Sequence, residues 1–116
     1  MIRWDDMLAR VRRQLKDESG ALRSDATLKG FILDAVRDLG RRRPEARLDV
    51  HGRIRGTPTE WGTDGTGDGA IPIGDYYEEA LVALSLALVY LSDASDAKDE
   101  SLGSFWQRRA TELLGG

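Results

Sequence analysis

The chain of 116 residues contains no cysteine, one histidine and three prolines, and these absences exclude several classes of protein. Without cysteine there is no disulfide bridge, no thiolate zinc site and no cysteine nucleophile. No apolar run reaches the roughly 18 residues that a membrane span needs, and the first residues show no apolar segment typical of a signal peptide. This composition fits a cytosolic product without a membrane partner.

What the chain does contain is an uneven distribution of charge. Its 41% hydrophobic and 32% charged residues are typical of a folded protein, and its length predicts a single domain over 1–116. The net charge of -3 conceals a division, because residues 1–55 hold 14 Lys/Arg and 9 Asp/Glu whereas residues 56–116 hold 3 and 11. A chain with a basic and an acidic half can bind a copy of itself head to tail, or turn its basic part toward nucleic acid.

Four segments have apolar residues at helical spacing, and we expect helices at about 3–17, 25–43, 75–92 and 97–114. The last of these contains Leu102, Phe105, Trp106, Arg109, Leu113 and Leu114, and we expect its Leu and aromatic residues to lie in the core.

The ends and surroundings of the central helices also follow from the sequence. Ser24 or Asp25 can cap the second helix. Asp75 and Glu78 form an acidic variant of the capping box before the third. Residues 80–91 of that third helix are apolar on every face, so we expect either three neighbouring elements or another subunit to enclose it.

The region at 47–73 has a different pattern. Apolar and polar residues alternate over 47–55, which predicts a half-buried strand, and the glycine-rich stretch 56–70 predicts a loop or arm. Ile71 and Ile73, on either side of Pro72, suggest a short return strand at an edge. The predicted fold class is therefore mainly α, a small bundle of about four helices with a short β-hairpin or extended arm inserted between helices 2 and 3.

No catalytic, cofactor-binding or metal-binding set stands out, and we expect no enzyme and no cofactor. His51 reads as a solvent-facing residue, because the general-base and metal interpretations need partners that the sequence does not show. The stretch 62–69 has the glycines and aspartates of a calcium repeat or phosphate loop. It lacks the tandem copies of the first and the Lys-Ser/Thr of the second.

The densest basic cluster surrounds the end of the second helix. Three interpretations remain open: favourable charge at a helix C-terminus, contact with phosphate, and contact with the acidic half of a neighbouring subunit. The candidate residues are Arg37, Arg41, Arg42, Arg43, Arg47, Arg53 and Arg55.

The order of these blocks resembles a known family. An amphipathic helix with Trp4 precedes a capped helix that ends in Arg-Arg-Arg-Pro at Pro44, and a polar strand and loop follow. Ile-Pro-Ile then leads into Asp75-Tyr-Tyr-Glu-Glu-Ala-Leu, a long apolar helix, and a closing helix that contains Phe105 and Trp106. Over nearly its whole length the chain resembles the head-to-tail connector, or adaptor, proteins of tailed bacteriophages and of phage-derived gene transfer agents.

The resemblance implies a structural virion protein at the head-tail interface, assembled in the host cytoplasm. Such adaptors form a homo-oligomeric ring of about a dozen copies beneath the portal protein. The ring extends the channel for genomic DNA and offers a docking surface to a tail or stopper protein. By this resemblance the arginines contact the channel DNA or a neighbouring subunit. Trp61, Ile71 and Ile73 belong to an arm that contacts the portal, the tail or a neighbour.

An alternative function uses the same arginines differently. The chain would then be a small DNA-binding module that contacts DNA with the arginine-rich end of its second helix. Against this alternative, the chain is net acidic and has no aromatic residues interleaved with the basic ones.

Overall fold

Four helices dominate the computed structural model, which describes residues 2–15, 24–48, 51–53, 71–92 and 97–115. They are α1 (Trp4–Leu15), α2 (Asp25–Arg42), α3 (Glu78–Ser92) and α4 (Ala97–Leu113). Two short 3-10 helices, Pro44–Arg47 and Asp75–Tyr77, lie between α2 and α3. The mainly α class with four helices is thus confirmed.

Helix α3 forms the centre of the core. Its residues 80–87 and Val89 are all buried, and α1, α2 and α4 all pack against it. Ser85, its one polar buried side chain, donates a hydrogen bond to the Leu81 carbonyl at 2.8 Å. Since a fully buried Leu or Val contributes about 1.5–3 kcal/mol, this helix is the main source of hydrophobic stability. The chain itself encloses α3, so α3 does not need another subunit to cover it.

Helices α1 and α2 each bury one apolar stripe, as their periodicity predicts. In α1 the buried positions include Met7 and Val11, and in α2 they include Leu28, Ile32 and Leu39. Ser24 is the N-cap of α2, because its side chain accepts a hydrogen bond from the Thr27 backbone N–H at 3.2 Å. Pro44 cannot continue the helix, which ends at Arg42.

Helix α4 has two small residues in its buried face, and part of the predicted apolar set joins them, since Trp106 and Leu113 pack against the core and Leu114 is buried. Gly103 and Ala110 are buried, whereas Phe105 is 50% exposed. A Cβ atom at position 103 would lie 2.6 Å from the Leu91 side chain and 3.3 Å from the Leu91 backbone nitrogen. Only glycine therefore permits the two helices to approach so closely here.

The predicted hairpin between α2 and α3 is not supported, since the described part of 47–73 contains no strand. Arg47 ends a 3-10 helix that Pro44 begins, and Ala46, 1% exposed, anchors that helix in the core. Leu48 forms a single bridge position, and His51 lies in a turn. Burial of Ala46 and the fixed φ of Pro44 favour this 3-10 helix, which takes Arg47 out of the predicted strand. Residues 49–50 and 54–70, with the predicted glycine-rich loop, lie outside the described residues.

Ile71 and Ile73 are core residues instead of a return strand, at 3% and 1% exposure. The Ile71 N–H donates to the Ile2 carbonyl at 2.7 Å, and the Ile73 N–H donates to the Ile71 carbonyl at 2.7 Å. The second bond closes a three-residue turn around Pro72, whose ring restricts φ to the range that such a turn requires. The turn directs both side chains into the bundle.

The start of α3 also differs from the prediction. Residues Asp75–Tyr77 form a 3-10 helix whose N-cap is Gly74, and no side chain caps it. Asp75 thus lies inside a 3-10 helix that precedes α3, and the predicted capping box of Asp75 and Glu78 stays a prediction. Glu78 and Glu79 occupy the first turn of α3, where negative charge is favourable toward the helix dipole.

Candidate functional site

Three of the candidate arginines lie on the exposed side of α2, and each has a carboxylate partner on the same helix. Arg37 pairs with Asp34 at 3.9 Å. Arg41 and Arg42 share Asp38, at 3.3 Å and 3.0 Å. These i,i+3 and i,i+4 pairs reduce the net positive charge of the surface. The sequence already contained the signal for these pairs, because Asp34 and Asp38 precede the arginines by three or four residues. Counting arginines alone does not reveal it.

Arg43 has a structural role. Its Nε donates to the Leu114 carbonyl at 2.8 Å, its Nη2 donates to the same oxygen, and its Nη1 donates to the Arg42 carbonyl at 3.2 Å. Leu114 directly follows α4, and Gly115 after it has a φ of 83°, the left-handed conformation common at helix ends. A cation here satisfies a terminal carbonyl and is favourable toward the dipole of α4. Arg43 therefore joins the C-terminal ends of α2 and α4, and its half-buried guanidinium already has hydrogen-bond partners within the chain.

Arg47 approaches α2 from the following 3-10 helix. A Cβ atom at Gly40 would lie only 2.8 Å from the Arg47 Cδ, so the aliphatic part of Arg47 lies directly against the helix at a position without a side chain. Its half-buried side chain lines an open groove together with Arg37 and Arg41. Arg53 is exposed in the turn at 51–53, and Arg55 lies outside the described residues.

The two charged halves of the sequence meet within one chain. Arg10 on α1 pairs with Glu78 at 3.6 Å and also bonds Glu79, both in the first turn of α3. These side chains are partly exposed, so the pairs contribute at most about 1 kcal/mol. Part of the complementarity that could join two subunits is therefore satisfied between α1 and α3.

The residues that we expected on a contact arm do not form one within the described residues. Ile71 and Ile73 point into the core, which leaves their side chains no surface for contact with another protein in this conformation, and Trp61 lies outside the described residues. The large apolar side chains that the structure exposes include Tyr76 (86%) and Phe105 (50%). Each is next to a second aromatic residue, Tyr77 or Trp106, and adjacent helical positions point about 100° apart. That adjacency was a usable signal that one ring of each pair faces outward.

The described residues show little reactive chemistry. His51 is exposed in its turn, as expected, and no group of three His, Cys, Asp or Glu among the described residues is placed to hold a metal ion. Burial raises the pKa of the Tyr77 phenol above its ordinary value of 10.0. Glu45 and Tyr76 add to this shift, and Arg43 opposes it. Tyr77 is thus protonated at neutral pH. Within the described ranges no helix is both long and apolar enough to cross a membrane.

Comparison with known proteins finds no matching family model, no matching curated protein and no matching solved structure.

Proposed function

We propose that this chain is a head-to-tail connector subunit of a tailed bacteriophage or of a phage-derived gene transfer agent. About a dozen copies form a ring beneath the portal, extend the DNA channel and provide a surface for the tail. The observation that carries this proposal is the order of the sequence blocks, from the Trp4 helix through the Arg-Arg-Arg-Pro end to the long apolar helix. The four helices of the fold are compatible with that order.

A closed ring requires a heterologous interface, in which two unlike patches of one chain meet. One patch is the outer side of α2 with Arg37, Arg41 and Arg42. The other would use an exposed aromatic side chain, either Tyr76 before α3 or Phe105 on α4. Because α3 is enclosed by its own chain, the ring interface would use these exposed side chains and not the apolar third helix.

The proposal is tested by native mass measurement and negative-stain imaging of the purified protein, alone and mixed with its portal protein. A ring, or an assembly on the portal, is the expected result. Phe105→Ser should weaken assembly, whereas Gln107→Ser, at an exposed polar position of the same helix, should not. A protein that stays monomeric at high concentration and does not bind portal contradicts the proposal.

A second candidate function is a small DNA-binding module, and one observation favours it. Arg37, Arg41 and Arg47 come from two elements yet line the same groove. A monomer that binds duplex DNA in a strongly salt-dependent manner, and that neither assembles nor binds portal, would favour this function over the connector.

A further inference from the structure

An open groove of about 720 Å³ lies between α2, the 3-10 helix Pro44–Arg47 and α3. Its apolar lining includes Val36 of α2 and Leu88 of α3. Three arginines line it, Arg37 and Arg41 from α2 and Arg47 from the 3-10 helix. We call this feature the arginine groove.

The position of Arg47 in the arginine groove depends on Gly40. Any larger residue at position 40 would place its Cβ 2.8 Å from Arg47 Cδ and 3.3 Å from Arg47 Cγ. Glycine is disfavoured within a helix relative to alanine, but here it gives the arginine stem a place against the backbone of α2. Arg47 is accordingly half-buried and restricted, which lowers the entropy that its guanidinium loses when it binds a ligand.

Arg37 and Arg41 are one helical turn apart on the same side of α2. Their carboxylate partners, Asp34 at 3.9 Å and Asp38 at 3.3 Å, form exposed pairs of the kind that contribute little stability. An anion that accepts hydrogen bonds from more than one of these arginines at once can therefore compete with these contacts. Asp34 and Asp38 also line the groove, so their charges oppose a bound anion and moderate its affinity.

We propose that the arginine groove binds phosphate groups, presented by a nucleic-acid backbone or by a free polyphosphate. Guanidinium groups match phosphate oxygens with paired hydrogen bonds, and three arginines line this one open groove. The inference goes beyond the connector proposal and does not depend on it, because the groove is built within a single chain. Its nucleic-acid case deepens the DNA-binding alternative and rests on it, whereas its free-polyphosphate case does not.

The test uses the full-length protein and two probes, a short fluorescein-labelled DNA duplex followed by anisotropy and inorganic tripolyphosphate followed by calorimetry. Arg37→Gln and Arg41→Gln alter exposed side chains and should leave the fold intact. Each should weaken binding about tenfold and lower the slope of log K against log salt by about one. Asp38→Asn should tighten binding, because it removes an opposing charge. The matched control is Arg108→Gln, which removes the same charge from an exposed position on α4.

If both probes bind, and the affinity falls in the groove variants but not in Arg108→Gln, the result supports phosphate binding by the arginine groove and identifies nucleic acid as a source of the phosphate. Binding of tripolyphosphate alone, with the same pattern of loss, supports the groove with a free polyphosphate as its ligand. Equal losses of affinity in the groove variants and in Arg108→Gln would show that binding depends only on the overall charge of the protein, which would overturn the proposal. Absence of binding to both probes at low salt would also overturn it. So would groove variants that change only self-association, since the groove would then bind protein. Ring formation is measured separately, so failure of the connector proposal leaves these results interpretable.

Discussion

Arg41 and Arg43 are two residues apart in one arginine run, yet they have opposite environments. Arg41 is exposed and pairs with Asp38 on its own helix, whereas Arg43 is half-buried and donates to the Leu114 carbonyl, 71 residues away in sequence. The arginine run predicts a basic surface. The role of each arginine, however, depends on which part of the chain packs beside it in the folded protein. One end of the run therefore stabilises the fold, and the other end is available for a ligand.

The largest effect that separates the two ends is expected from Arg43→Met. This change leaves the Leu114 carbonyl without its charged donor, and hydrogen bonds to charged groups contribute about 1.5–3 kcal/mol. The free energy of unfolding, measured by urea titration, should fall by about that amount. Arg41→Met, which removes only an exposed pair, should change it by less than about 0.5 kcal/mol. Equal losses would show that Arg43 has no special structural role.

A second prediction compares the tight α3–α4 contact with an exposed helix position. Gly103→Ala places a Cβ atom against Leu91. The two helices must shift to accommodate it, and this shift should lower the free energy of unfolding by about 1 kcal/mol. In Gly30→Ala the added Cβ atom has no other atom within 4 Å, so the higher helix propensity of alanine should stabilise the protein by about 0.5–1 kcal/mol. Thermal unfolding of both variants checks the opposite signs, and stabilisation by Gly103→Ala would contradict the close contact.

These contrasts also show what could be predicted from the sequence. The four helices, the Ser24 cap and the burial of the third helix follow from local periodicity and capping chemistry, which act within a few residues. The 3-10 helix at Pro44–Arg47 and the core position of Ile73 depend on contacts with distant segments, such as the Gly74 N–H bond to the Ala46 carbonyl at 2.9 Å. Such bonds leave no periodic signal.

For the candidate site, the sequence identified a cluster of arginines, but it did not show which of them face solvent and which pack against other parts of the chain. Asp34 and Asp38 as partners were deducible from helical spacing. The contact of Arg43 with Leu114 and that of Arg47 with Gly40 were not, because each joins elements whose relative placement only the tertiary fold determines.

A third prediction concerns Gly40→Ala, which should separate binding from stability at the arginine groove. The gain in helix propensity offsets the displacement of the flexible Arg47 side chain, so the unfolding free energy should stay within about 0.5 kcal/mol. Binding of tripolyphosphate should nonetheless weaken several-fold, because Arg47 loses its place against α2. Unchanged affinity would mean that Arg47 does not need this position to contact the ligand.

The smallest effect is expected from Tyr77 at alkaline pH. Its folded-state pKa is raised above 10.0, chiefly by burial, so the folded protein holds the phenolic proton more tightly than the unfolded chain. This contribution to stability is fully present below about pH 10 and is lost as the pH rises through the folded pKa. Tyr77→Phe should flatten that alkaline decline in unfolding free energy. An identical decline in both proteins would assign it to other groups.

The most direct test of the division of the arginine run measures two quantities on the same two variants. Unfolding free energy and tripolyphosphate affinity are determined for Arg43→Met and for Arg41→Gln under identical salt conditions. We predict a crossed pattern, in which Arg43→Met lowers stability and largely keeps binding, whereas Arg41→Gln keeps stability and loses about tenfold in affinity. Parallel changes in both quantities for both variants would contradict the account.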